Sequence, residues 1–136
     1  MRRLSVVAAL IQKEGKILLT RRPEGKARGG LWEFPGGKIE PKERPEEALY
    51  REIREELGVE IEVGRILAEV EHDYPEIKIR LLCYEGEILR GTPVPLEGQK
   101  ISWFRPNDIA SLELAPADRK LWQKLSQTAA LEKRLS

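Results

Sequence analysis

The chain has one cysteine, one histidine and one methionine in 136 residues. With Cys83 alone, no intramolecular disulfide can form, and the usage fits a reducing cytosol. A surplus of either charge is also missing. The 24 Lys and Arg stand against 23 Asp and Glu, a net of +1, so no broad field recruits long nucleic acid or a membrane surface. No apolar run approaches the length of a bilayer span. Met1-Arg2-Arg3-Leu4 followed by residues 6–11 faintly imitates a signal peptide. That run is short, ends at Gln12-Lys13-Glu14 and lacks a small-residue cleavage site, so it reads as a first strand. Repeats, low-complexity tracts and interdomain linkers are absent as well. The length suits one domain over residues 1–136 and is too short for two ordinary ones.

What is present alternates between strand and helix signals. Residues 4–12 and 16–22 read as strands joined at Lys13-Glu14-Gly15, a hairpin signal. Residues 23–30 form a basic, glycine-containing loop, residues 31–34 a short strand, and Pro35-Gly36-Gly37 a turn. A helix is expected over residues 45–57. Proline suits its first position, Glu46 and Glu47 complement the dipole there, and Gly58 fits a C-terminal stop. Arg44 is a poor N-cap, where a serine, threonine or aspartate is more usual. Residues 60–71 and 77–89 read as strands. In the second, Ile77, Ile79, Leu81 and Cys83 alternate with Lys78, Arg80, Leu82 and Tyr84, which makes Cys83 a packed side chain rather than a nucleophile. A proline-rich loop over 91–98, a short strand over 101–104 and a terminal helix from 117 to about 131 complete the chain. Strands broken by two helices give a mixed α/β layered domain.

The first helix carries two faces. Leu49, Ile53 and Leu57 form a core stripe, roughly a right angle from Glu52, Glu55 and Glu56, which stand at i, i+3 and i+4 and project from one sector. Three like charges side by side are unfavourable unless something positive sits among them. A hard divalent cation such as magnesium suits carboxylate oxygens and shares its remaining sites with water and phosphates. The alternative, a solvated acidic face, leaves the flanking glycines and the fixed spacing without a reason. Arg51, one turn before Glu55, could hold that carboxylate in place.

Residues 37–59 resemble the Nudix box, whose pattern is a glycine, five residues, Glu, seven residues, Arg-Glu, an aliphatic, any residue, Glu-Glu, any residue, Gly and an aliphatic. Gly37, Glu43, Arg51, Glu52, Ile53, Glu55, Glu56, Gly58 and Val59 fill every fixed position. The resemblance implies a Nudix fold, an α/β/α sandwich with a mixed β-sheet. It also implies hydrolysis of a nucleoside diphosphate linked to another group, with Mg²⁺ or Mn²⁺ as cofactor. Carried over by position, Glu52, Glu55 and Glu56 are the metal ligands, with the backbone carbonyl of Gly36 as a further one. Glu43 is an extra or outer ligand, Arg51 an orienting partner, and Glu52 the first choice for general base.

Thr20-Arg21-Arg22, Trp32-Glu33-Phe34-Pro35-Gly36-Gly37, Glu97-Gly98-Gln99 and Pro116-Ala117-Asp118 extend the resemblance to the MutT subfamily. Its members cleave nucleoside triphosphates to the monophosphate and pyrophosphate by attack at the β-phosphorus, with 8-oxo-dGTP as the emblematic substrate. The resemblance makes Glu97 a further metal ligand or base and places Arg22 and Phe34 near the nucleotide. Asp118 stands where 8-oxoguanine-specific enzymes of this type carry asparagine. Asparagine both donates and accepts, whereas an ionised aspartate only accepts, so CTP and 5-methyl-dCTP remain alternative substrates. Asp118 could instead be the N-cap of the terminal helix. ADP-ribose or dinucleoside polyphosphates rank lower, as does a binding module without catalysis. Pro75, sixteen residues past Val59, does not discriminate, and His72 reads as an ordinary strand-end residue. A cytoplasmic enzyme of free nucleotides follows, with no nucleic-acid polymer or membrane partner and with monomer and homodimer both open.

Overall fold

A computed structural model of the chain describes residues 2–127. The first apolar run becomes β1 (Arg3–Lys13), and a two-residue turn leads to β2 (Lys16–Arg21). Glu14 and Gly15 in that turn have φ of 52° and 77°, the left-handed pair that matches the twist of a tight hairpin. Then follow β3 (Trp32–Glu33), β4 (Gly36–Lys38), α1 (Pro45–Leu57), β5 (Glu60–Asp73), β6 (Lys78–Arg90), β7 (Lys100–Phe104), α2 (Pro106–Ile109) and α3 (Pro116–Leu125). The sheet runs β3-β2-β1-β6-β5, with β4 pairing β1 and β7 pairing β2. The β1–β6 pair is parallel and the others are antiparallel, which makes the sheet mixed, as expected.

The period of two along β1 divides the core. Val7, Ala9 and Ile11 join Ala48, Leu49, Ile53 and Leu57 of α1 in one cluster. Ala8 and Leu10 join Ala117, Leu121, Trp122 and Leu125 of α3 in another. One helix therefore covers each face, and the α/β/α sandwich follows. The stripe Leu49, Ile53 and Leu57 is fully buried, each side chain worth about 1.5–3 kcal/mol by transfer. Cys83 is buried in the α3-side cluster; burial pushes its thiol far above the usual range, in keeping with a packing role.

Three local expectations change. Pro35-Gly36-Gly37 is not a turn: Gly36–Lys38 pair antiparallel with residues 6–8 of β1. A Cβ on Gly36 would run into the backbone of Val7, so glycine serves close strand approach here rather than chain reversal. Arg22 lies one residue beyond β2. The terminal helix stops at Leu125, with Ser126 as its C-cap, short of residue 131, which lies outside the described residues. The ends of α1 fall where expected. Arg44 offers no side-chain cap, but its backbone N–H donates to the Glu47 carboxylate at 2.9 Å, half of a capping box. Gly58 is left-handed and its N–H donates to the Arg54 carbonyl. Among the described residues, no helix is long and apolar enough to cross a membrane.

Candidate active site

The three glutamates on α1 share a sector but not an environment. The Glu55 side chain is 53% exposed and that of Glu52 19%, while Glu56 is buried. Strand β4 makes the difference. The Glu52 carboxylate lies where a Cβ on Gly37 would stand, so only glycine lets it lean against the strand. The Gly36 N–H donates to Glu56 Oε2 at 3.4 Å. Behind them Arg51 acts as a hub. Its Nε donates to Glu43 at 2.7 Å and its Nη1 to Glu52 at 2.9 Å, while Nη2 donates to the Lys38 carbonyl at 3.0 Å. The expected contact with Glu55 is present but longer, at 3.3 Å. The bond from Arg51 holds the Glu43 carboxyl down at about 2.

Glu97 is exposed, on a loop laced to the end of α1. Leu96 N–H and Gln99 Nε2 both donate to the Glu56 carbonyl, at 3.1 Å each, and Gln99 Oε1 accepts from the Glu97 N–H at 2.8 Å. The loop thus brings a fourth negative charge toward the helix. Burial pushes Glu56 up to about 8, the charges of Glu33, Glu97 and Glu52 add to the rise, and the Gly36 N–H opposes it. Glu52 is raised too, by burial first and by Glu55 and Glu97, against the pull of Arg51. Among the described residues, no three side chains stand in ready metal-ligating geometry. The donor chemistry nonetheless suits a hard divalent cation: oxygen atoms only, one of them on a buried carboxylate among like charges that a cation would relieve.

A cleft of about 490 Å³ opens beside this cluster. Arg22, Phe34, Gly36, Glu52 and Asp118 line it together; Glu55, Glu56 and Glu97 do not. Phe34 also belongs to the core, 6.3 Å from the Trp122 ring. Arg22 donates to the Ala27 carbonyl at 2.9 Å and to Glu33 at 3.3 Å. Asp118 is not the N-cap of α3, a position held by Ala115. It sits in the first turn, where its Oδ2 accepts from the Phe34 N–H at 3.0 Å. Burial, with the charge of Glu33 next, raises Asp118 well above the usual carboxylate range.

The NUDIX domain family matches residues 6–124. The chain belongs to the Nudix family. It is 42% identical over 118 residues to the CTP pyrophosphohydrolase of Escherichia coli strain K12, covering 87% of each chain. To the 8-oxo-dGTP diphosphatase of the same strain it is 31% identical over 128 residues, covering 93% of this chain and 99% of that protein. The solution structure of the E. coli ORF135 protein superposes with a TM-score of 0.80 at 40% identity, covering 96% of this chain and 94% of that one.

This Nudix domain also lines its cleft with residues that sequence reasoning did not single out. Glu33 has its carboxyl raised by burial, against the lowering effect of Arg22. Its signal was available: a charged residue between Trp32 and Phe34, just before the box. Arg28 and Tyr74 line the cleft as well, and no local pattern relates positions so far apart. His72 lies beside the Tyr74 ring, with centroids 4.6 Å apart, at the end of β5 and outside the cleft lining.

Proposed function

We propose that this protein is a magnesium-dependent nucleoside triphosphate pyrophosphohydrolase that releases a nucleoside monophosphate and pyrophosphate. Its leading substrate is 8-oxo-dGTP, removed from the cytoplasmic pool before replication, as a contribution to DNA repair. The whole chain, residues 1–136, acts as one domain on free nucleotides. The observation that carries this reading is one cleft that Asp118, Phe34, Arg22, Gly37 and Glu52 line together. Its size suits a small-molecule ligand, with base recognition at one end and phosphate chemistry at the other.

Glu52, Glu55 and Glu56, with the Gly36 carbonyl and Glu97, would hold Mg²⁺ or Mn²⁺. The ion supplies charge neutralisation on the phosphates and acidifies water. Glu52 takes the proton of the attacking water as its oxygen bonds to the β-phosphorus, and the bond from that phosphorus to the bridging oxygen of the monophosphate breaks. Its place among the groups that would hold the metal puts Glu52 beside the water that the metal would acidify, and Glu97 is the second candidate. Arg51 orients Glu52 from behind. Asp118, beside Phe34, contacts the base edge.

A second reading, hydrolysis of CTP or 5-methyl-dCTP, is favoured by one observation. The CTP pyrophosphohydrolase relative is 42% identical and the 8-oxo-dGTP diphosphatase of the same strain 31%. Pyrophosphate release with Mg²⁺ across 8-oxo-dGTP, dGTP, CTP, dCTP, 5-methyl-dCTP, ATP and ADP-ribose, each at low concentration, decides between them. A large preference for 8-oxo-dGTP over dGTP supports the first reading and a cytosine preference the second. Silence across the panel with metal bound would sink both.

A further inference from the structure

The loop over residues 22–31 is closed at its stem. Arg22 N–H donates to the Leu31 carbonyl at 3.0 Å and Gly30 N–H to the Arg22 carbonyl at 2.9 Å. From this loop Arg28 reaches across to the turn between β5 and β6. Its guanidinium lies 4.2 Å from the centroid of the Tyr74 ring and its Nη1 is 3.1 Å from Glu76 Oε1. The turn is itself tied to α3, because the Ala117 N–H donates to the Tyr74 hydroxyl at 3.2 Å. Arg28, Tyr74, Glu76 and Ala117 all line the cleft, next to Asp118. Arg28 also holds a left-handed φ of 58°, a conformation that costs an L-residue energy and that glycine adopts freely. Gly29 and Gly30 follow directly, so the backbone alone gives no reason for arginine at this position.

We propose that Arg28 is a positioning residue that clasps the 22–31 loop to the 74–77 turn and so fixes the walls around the base-recognising end of the cleft. The inference rests on the nucleotide reading above. Arg28 acts through Tyr74, whose hydroxyl is tied to the first turn of α3, where Asp118 sits. Loss of the clasp therefore weakens substrate binding without touching the phosphate chemistry, and KM rises while kcat holds. Base discrimination falls in step, because Asp118 follows Ala117 directly.

The test uses Arg28→Gly, which removes the side chain and relieves the backbone, so a merely structural turn would keep or gain stability and keep KM. The clasp requires KM for the preferred triphosphate to rise about fivefold, the scale of one partly exposed cation–π contact, with kcat within about twofold. Arg28→Lys, which keeps a cation for the ring, recovers part of the loss. Tyr74→Leu gives a similar rise in KM, and the double variant is no worse than either single one. An unchanged KM in Arg28→Gly, or strictly additive effects in the double variant, overturns the proposal. Amide hydrogen exchange provides an arm independent of turnover. Tyr74 and Ala117 N–H should exchange faster in Arg28→Gly while the amides of α1 do not change, and unchanged exchange at both refutes the clasp. If the wild-type protein turned over no nucleotide, the functional reading would fail and the exchange arm alone would decide this one.

Discussion

Replacing Glu56 by glutamine should make the metal-free protein more stable and the enzyme inactive. Glutamine keeps the shape and an oxygen to accept from the Gly36 N–H, but removes a charge that is buried among Glu33, Glu97 and Glu52. The folded carboxyl titrates at about 8, against 4.5 as the ordinary value. Because the folded value is raised, the stability is fully present below pH 4.5 and is lost progressively as the pH climbs to about 8. At about 1.36 kcal/mol per pH unit, the full loss is on the order of 5 kcal/mol. Glu56→Gln escapes it. In EDTA at pH 8.5 its Tm should exceed that of the wild type by about 15–20 °C for a chain of this size, and the gap should close toward pH 4.5. Added Mg²⁺ should reverse the order, because only the wild type offers the buried anion as a ligand, and turnover of Glu56→Gln should fall at least about 100-fold. Thermal melts of both proteins at pH 4.5, 6.5 and 8.5, with EDTA or with Mg²⁺, read all of this at once. A Glu56→Gln protein no more stable than wild type at pH 8.5 in EDTA would refute the reasoning, because the carboxyl would then carry no burial penalty for a cation to relieve.

Other substitutions test separate parts of the account. Gly37→Ala places a Cβ against the Glu52 carboxylate; it should leave the circular dichroism unchanged and lower kcat at least about tenfold by displacing the base. Ile53→Ala empties a fully buried site on the core stripe and should cost about 2–5 kcal/mol in urea unfolding. Glu43, held at about 2 by Arg51, contributes stability above pH 4.5 that is lost as the pH falls toward 2. Glu43→Gln should flatten that acid limb and reduce stability at neutral pH, both visible in a melting series. Cys83 should resist a thiol reagent in the native protein and react fully only in denaturant.

The legible parts of the chain were those fixed by short-range chemistry. Pro45 at the start and Gly58 at the end bounded α1 correctly, and the spacing of Leu49, Ile53 and Leu57 identified the face that packs on the sheet. The alternation around Cys83 likewise predicted its burial. The same spacing could not say that Glu56 is buried while Glu55 is exposed, because β4 decides this, and Gly36 and Gly37 read locally as a turn. Glycine signals two things, reversal and close approach, and only the position of Val7 and Glu52 in space tells them apart. Asp118 raised a similar ambiguity. In sequence it could be a helix cap; in the fold its partner is the Phe34 N–H, 84 residues away. The Arg28–Tyr74 contact joins two loops whose separation no periodicity encodes.

If the acidic face of α1 holds a divalent cation beside the cleft, a nucleoside triphosphate should be cleaved between its α- and β-phosphates only when that metal is present. Phosphorus-31 NMR of a reaction with 8-oxo-dGTP or CTP tests it most directly, run with Mg²⁺ and again with excess EDTA. Nucleoside monophosphate and pyrophosphate should appear in equal amounts with the metal, and nothing should appear without it. Release of orthophosphate with a nucleoside diphosphate, or turnover undiminished by EDTA, would contradict it.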